Sequence, residues 1–270
     1  MLRCEIMNLG IIGYGNIGEL LTQNIINHDF CNLNKLYIAN RTLSKITHLK
    51  DINQSISITD DNTEVAKNCE KIIISVKTPD LINVLEQIKE YITKDTQIIH
   101  TCAGINLESE KLTCVIPTIS STYDKNNPKK GFTIIMYDEK VSSENKEYVE
   151  NLFSKFSQIK VVDNPEDLEI STIAASCMPA FISLGIDLFT DELSTKSNLS
   201  KEELFKIVAE TLNSSSYLLK ENILSSEELI NKVATKKGIT QKGLDTLNEE
   251  LPAIYKRLIY NLLWLCQKLW

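Results

Sequence analysis

A chain of 270 residues, 43% hydrophobic and 24% charged, has room for two domains of ordinary size and excludes widespread disorder. Its formal net charge of -7 opposes a nucleic-acid partner, since neutralising a phosphate backbone takes a clustered basic surface, and favours a small-molecule partner. No uninterrupted apolar run reaches the roughly 20 residues that span a bilayer, and Met1 to Met7, with Arg3 and Glu5, lacks the pattern of a secretion signal. The expectation is a cytoplasmic protein with no membrane partner.

Apolar strand-like runs alternate with helical stretches through the first part of the chain, the pattern of βαβ units and a mainly parallel sheet. The predicted strands are Asn8 to Gly13, Leu36 to Asn40, Ser55 to Thr59, Lys71 to Val76, Gln97 to Cys102 and Thr113 to Pro117. After the polar loop Ser120 to Lys130, the runs Gly131 to Tyr137 and Ile159 to Val162 extend the sheet at one edge, giving about eight strands. Asp163, Asn164 and Pro165 mark a boundary, so residues 1–163 form an α/β Rossmann-type domain and 164–270 an all-α domain.

Beyond Pro165 helix signals dominate, beginning with a segment from about Glu166 to Leu193 whose apolar residues run nearly all round and so predict burial on several sides. Burial against a second subunit follows as an expectation. Ser176-Cys177-Met178-Pro179-Ala180 interrupts this helix, because proline bends it or frees carbonyls. Ser200 with Glu203 and Ser225 with Glu228 have capping-box spacing and start two further helices. A last helix runs from about Thr240 to the end, kinked or restarted at Pro252; its apolar stretch Leu262 to Cys266 reads as core or subunit contact.

Gly13-Tyr14-Gly15-Asn16-Ile17-Gly18 follows the first strand and opens a helix, the context in which a glycine turn cradles a pyrophosphate. At the end of the second strand, where an acidic residue would hold the ribose hydroxyls of NAD, the chain has Asn40-Arg41-Thr42. Arginine attracts a 2′-phosphate that a carboxylate would repel, so the expected cofactor is NADP(H), with Asn40 and Thr42 adding hydrogen bonds.

No lysine, arginine or histidine occurs from Val161 to Thr195, which removes the general acid that a hydroxyacid dehydrogenase of similar plan needs there. Reduction of a C=N bond is less demanding, since an imine protonated near neutral pH already carries its proton. Thr235-Lys236-Lys237-Gly238-Ile239-Thr240 joins two helices, where amides can face a carboxylate and Thr240 can offer a hydroxyl. His100 at a strand end reads as structural, and Cys102 and Cys177 read as packed thiols. The seven cysteines, Cys4, Cys31, Cys69, Cys102, Cys114, Cys177 and Cys266, lack ligand spacing, so no metal is expected.

Taken in order, Gly13 to Gly18, Asn40-Arg41-Thr42, Val76-Lys77-Thr78-Pro79, Ala103-Gly104, Val115-Ile116-Pro117, Pro179-Ala180 and Gly238 to Leu244 resemble the pyrroline-5-carboxylate reductase family nearly end to end. The resemblance implies reduction of a cyclic imino acid by NADPH in proline biosynthesis, and a helical domain that dimerises by interlocking, giving a homodimer or a higher oligomer. It implies that Thr240 hydrogen-bonds the substrate ring nitrogen, that Gly238, Ile239 and Cys177 bind substrate, and that Val76, Lys77, Ala103 and Pro117 line the cofactor. Lys236-Lys237-Gly238 stands where the family has Pro-Gly-Gly, Ala175 to Met178 where it has Ser-Gly-Ser-Gly, and Thr118 where it has asparagine. Those departures resemble the late-competence ComE-operon paralogue, so a cofactor-binding regulatory protein with little or no turnover is the alternative.

Overall fold

The computed structural model describes residues 7–28, 35–103, 112–121 and 131–268. Cys4, Cys31, Gly104 and residues 122–130 of the expected polar loop lie outside them. The described chain divides into two compact units, residues 1–177 with 266–270, and residues 178–265.

Eight strands build the sheet of the first unit: β1 (Leu9–Ile12), β2 (Leu36–Ala39), β3 (Ser57–Thr59), β4 (Lys71–Ile74), β5 (Gln97–His100), β6 (Leu112–Pro117), β7 (Phe132–Tyr137) and β8 (Gln158–Val162). Their order is β3-β2-β1-β4-β5-β6-β7-β8, and every pairing is parallel except β6 with β7. Each expected strand is present within two residues of its predicted ends, and the two late runs do form the edge. The central strands β1, β4 and β5 are buried along their whole length, which is why they read as continuous rather than alternating apolar runs, apart from Lys71 at the start of β4 and Gln97 and His100 at the ends of β5.

Side chains of period two divide the core between the two sheet faces. Ile11, Ile73, Ile99, Val115 and Ile135 point to one face, against Leu21 and Ile25 of α1 (Asn16–Asn27) and Val149, Leu152 and Phe153 of α5 (Ser143–Phe153). Ile12, Ile72, Ile74 and Ile98 point to the other, against Val65 and Ala66 of α3 (Asn62–Asn68) and Leu81, Val84 and Ile88 of α4 (Thr78–Ile88). Each such fully buried side chain contributes about 2 kcal/mol. A 3-10 turn (Leu43–Lys45) and the short α2 (Leu49–Ile52) connect β2 to β3.

The helix α6 (Pro165–Thr172) packs on the sheet through Leu168, which joins Cys114, Ile116, Ile134 and Val162. Compactness therefore groups α6 with the sheet, although the strand signals end at residue 163. A five-residue π stretch, Ile173–Cys177, links α6 to α7 (Met178–Ser194) immediately before Pro179. Proline has no N–H to give to the preceding turn, and the widened turn accommodates that loss.

In the second unit, α7 packs on α8 (Lys201–Lys220), and Lys201 Nζ lies 2.7 Å from both Asp187 and Asp191 carboxylates. Both expected capping boxes form, at Ser200 with Glu203 and at Ser225 with Glu228, the second opening α9 (Ser226–Val233). The last helix, α10 (Ile239–Lys268), runs through Pro252 without restarting.

The continuous helical stretch Pro165–Ser194 is long and apolar enough, by length and composition, to cross a membrane. Counting only uninterrupted apolar residues missed it, because Ala, Ser, Thr and Gly separate the larger side chains without making the stretch polar.

Candidate functional site: a glycine turn, its cavity and a helix-start loop

The glycine turn forms where the spacing placed it. Gly13 has φ +100°, in the left-handed region, and a Cβ there would lie 2.3 Å from the Ser75 carbonyl oxygen, so only glycine fits. At Gly18 a Cβ would lie 2.1 Å from the Gly13 oxygen, whereas a Cβ at Gly15 would meet nothing within 4 Å. The turn is closed on its protein side and open in front of Gly15. No side chain caps the start of α1, which leaves its first amides free for an anion.

A cavity of about 530 Å³ lies against this turn. Of the residues expected to bind cofactor, Gly13, Tyr14, Gly15, Asn40, Arg41, Val76 and Lys77 line it. Asn16, Ile17, Gly18, Thr42, Ala103 and Pro117 do not. Asn16 and Thr42 are exposed, Gly18 and Pro117 are buried, and Ile17 packs on the core. The Ala103 carbonyl accepts a hydrogen bond from Thr78 Oγ1 at 3.4 Å.

Lys45, Asn62, Ser75, Asp80, Asn83 and Gln87 also line the cavity, and sequence reasoning missed them. Asn62 and Gln87 join across α3 and α4 by a hydrogen bond of 2.8 Å. A signal existed for Lys45, a second cation one turn after Arg41. The others arrive from separate elements and carry no local pattern.

Asn40, which lines the cavity, also ties two backbones together. Its Oδ1 accepts from the Tyr14 backbone N–H at 3.1 Å, and its Nδ2 donates to the Thr42 carbonyl at 2.8 Å. Burial, helped by Glu19, raises the pKa of the Tyr14 phenol.

His100 is 3% exposed at the end of β5 and has no partner at Nδ1. Burial lowers its pKa to about 4, against a hydrogen bond to the Cys102 backbone that acts the other way. Burial pushes the Cys102 thiol up to about 11 and the Cys114 thiol higher still, so neither supplies a thiolate at neutral pH. Cys177 lies half-buried in the π stretch, its thiol also raised by burial, beside Ser176, whose buried Oγ has no partner. Among the described residues no cluster of His, Cys, Asp or Glu could hold a metal ion.

In the helical unit, residues 234–238 connect α9 to α10. Lys237 takes φ +66°, the left-handed conformation that glycine adopts most readily. The Gly238 N–H donates to the Thr235 carbonyl at 2.8 Å. Lys237, Gly238, Ile239, Gln241, Lys242 and Asp245 line a second cavity of about 530 Å³, with Ile239 93% exposed. Thr240 is half-buried in the first turn of α10 and is not among the lining residues.

A doubly wound sheet with an open glycine turn at its first strand-helix corner, followed by helices rich in exposed apolar residues, defines a dinucleotide-dependent oxidoreductase with an oligomerising helical part. Residues 165–262 match the family described as pyrroline-5-carboxylate reductase dimerisation, and residues 8–104 match NADP oxidoreductase coenzyme F420-dependent. A pyrroline-5-carboxylate reductase of Methanobrevibacter smithii is 76% identical over 251 residues, covering 92% of this chain and 100% of that protein. The chain belongs to the pyrroline-5-carboxylate reductase family. ComE operon protein 4 of Bacillus subtilis is 25% identical, over 94% of this chain and 93% of that protein. The fold matches a Plasmodium falciparum pyrroline carboxylate reductase solved with NADP bound, at TM-score 0.80 and 23% identity, over 98% of this chain and 97% of that one.

Proposed function

We propose that the protein is a cytoplasmic reductase that converts 1-pyrroline-5-carboxylate, or a closely similar cyclic imino acid, to L-proline or its analogue with NADPH. The observation that carries the substrate is the 76% identity to the M. smithii reductase along that protein's entire length. The same comparison favours an active enzyme over a regulatory paralogue, since the ComE operon relative is only 25% identical.

The residues of the glycine turn fit the cofactor. Space stands open before Gly15, α1 is uncapped, and Arg41 and Lys45 flank the end of β2, where no acidic residue stands. Bound NADPH supplies the hydride. The amides opening α1 hold the pyrophosphate, Arg41 and Lys45 hold the 2′-phosphate, and Val76 and Lys77 contact the rest of the dinucleotide. Asn16, Ile17 and Gly18 open α1 and Thr42 lies in the cationic loop, while Pro117 ends β6 and Ala103 follows the end of β5.

On the substrate side, the backbone amides of Gly238 and Ile239 hold the carboxylate at the start of α10, and Lys237 and Lys242 add positive charge. Thr240 Oγ1 hydrogen-bonds the ring nitrogen. No protein acid is required, because the imine nitrogen carries its proton before reduction. Cys177, its thiol held protonated by burial, contacts substrate without attacking it. The assembly is a homodimer or a higher oligomer in which a second copy covers the apolar faces of α7, α8 and α10.

The test is an assay of the purified protein with 1-pyrroline-5-carboxylate. Saturable, substrate-dependent NADPH oxidation with proline as product is expected, and Thr240→Val lowers kcat/KM about tenfold or more by removing one hydrogen bond to the reacting ring. NADPH binding with no turnover would reject the reading in favour of the regulatory alternative.

A further inference from the structure

The loop that sets cofactor preference leaves the sheet at Asn40 and rejoins the core at Ile46 and Leu49, both fully buried. Between those anchors residues 41–45 are exposed, and two of them, Arg41 and Lys45, reach the cavity of the phosphate turn. The 3-10 turn Leu43–Lys45 orders this loop internally, with Lys45 N–H on the Thr42 carbonyl at 3.1 Å and Ile46 N–H on the Leu43 carbonyl at 2.9 Å, but a pair of long cationic side chains recognises a phosphate well only if that turn is also held against the glycine turn beforehand.

Asn40 provides that hold. Its carboxamide bridges two backbones, with Oδ1 on the N–H of Tyr14 inside the glycine turn and Nδ2 on the carbonyl of Thr42 inside the loop. The amide orientation is fixed by its partners. A flip would set NH₂ against N–H and C=O against C=O, so the group works in one sense only. Two backbone bonds align the same corner, from Gly13 N–H to the Ala39 carbonyl at 2.8 Å and from Asn40 N–H to the Thr59 carbonyl at 3.0 Å. Tyr14 also reaches the far side of the loop, where its phenol lies 3.5 Å from His48 Nε2 with the two rings edge to face. The glycine turn and the cationic loop are therefore one mechanical unit tied through Tyr14.

We infer that Asn40 is a positioning residue for cofactor selection: it clasps the phosphate turn to the loop carrying Arg41 and Lys45, and discrimination between NADPH and NADH acts through that clasp. The inference rests on the NADPH reading above. It separates Asn40 from Arg41 and Lys45, which carry the charge, and it replaces the sequence-based expectation that Asn40 itself hydrogen-bonds the 2′-phosphate.

Steady-state kinetics of the full-length protein test it, with NADPH and NADH each varied for wild type, Asn40→Ala, Arg41→Ala and the double variant. Asn40→Ala removes two neutral hydrogen bonds and is expected to raise KM for NADPH about tenfold, with a smaller effect on kcat and on KM for NADH. In the Arg41→Ala background the same change should alter the NADPH/NADH ratio less than about twofold, since a clasp has no phosphate contact left to position. An unchanged NADPH/NADH ratio in Asn40→Ala, or effects of the two substitutions that multiply independently, would overturn the proposal. Should Asn40→Ala fail to melt cooperatively, Asn40→Ser takes its place. It adds no charge and is too short to join the Tyr14 N–H to the Thr42 carbonyl, and an unaltered preference in that variant would equally refute the clasp. A wild type with no preference for NADPH would instead refute the cofactor reading from which the inference starts.

Discussion

Arg41 and His100 show how differently two basic side chains of one domain work. Arg41 is exposed and borders the cavity; in the proposed reading its charge-assisted hydrogen bonds to the 2′-phosphate supply affinity that NADH cannot use. Arg41→Ala should weaken NADPH binding about 10- to 100-fold while NADH changes little, as read by fluorescence titration of both cofactors. Equal losses for the two would contradict its role. His100 is buried, and its pKa of about 4 is depressed by desolvation. The unfolded chain therefore binds a proton between about pH 6.5 and 4 that the folded chain does not. Stability is full above about pH 6.5 and falls by roughly 3 kcal/mol as pH drops through that window. Denaturant melts at pH 7 and pH 4.5 should show this loss, and His100→Gln should flatten it.

At the scale of elements, the first strand-helix corner depends on a close approach. The start of α1 lies so near the Gly13 carbonyl that a Cβ at Gly18 would sit 2.1 Å from it. Gly18→Ala must open the turn, so both NADPH affinity and the apo melting temperature are expected to fall, with about 1 to 3 kcal/mol of stability lost. A variant that binds NADPH normally would show that the turn has slack. This corner was legible in the sequence because its determinants are local, three glycines at fixed spacing between an apolar strand and a helix. The capping boxes at Ser200 and Ser225 were legible for the same reason. Asn62, Asn83 and Gln87 were not, because α3 and α4 bring them to the cavity only after the sheet has ordered those helices. Proline 179 announced a break, but the widened π turn that absorbs it depends on how the flanking helices continue, which a single residue does not encode.

For the whole molecule, the two units stand in contrasting states of completion. The sheet unit buries its apolar residues on both faces, whereas Leu204 is the one buried large apolar side chain among the described residues of α7 to α10. Leu188 and Phe189 of α7 are 59% and 57% exposed. Apolar surface of this extent calls for a covering partner, and the match to a dimerisation domain over residues 165–262 supplies the reason. The all-round apolar pattern after Pro165 made this legible in the sequence, although the same pattern also meets the length and composition of a membrane span. Leu188→Asp with Phe189→Asp should give a monomer in sedimentation that still binds NADPH, because the cavity lies wholly within the sheet unit, yet turns over poorly. An assembly unaffected by the pair would place the subunit contact elsewhere.

The central claim, that the cavity at the glycine turn is the cofactor site, meets its most direct test in a crystal structure of the protein grown with NADPH. The account predicts the dinucleotide along that cavity, with its pyrophosphate at the start of α1 and its 2′-phosphate between Arg41 and Lys45. Density for NADPH elsewhere, or a 2′-phosphate turned away from both cations, would contradict it.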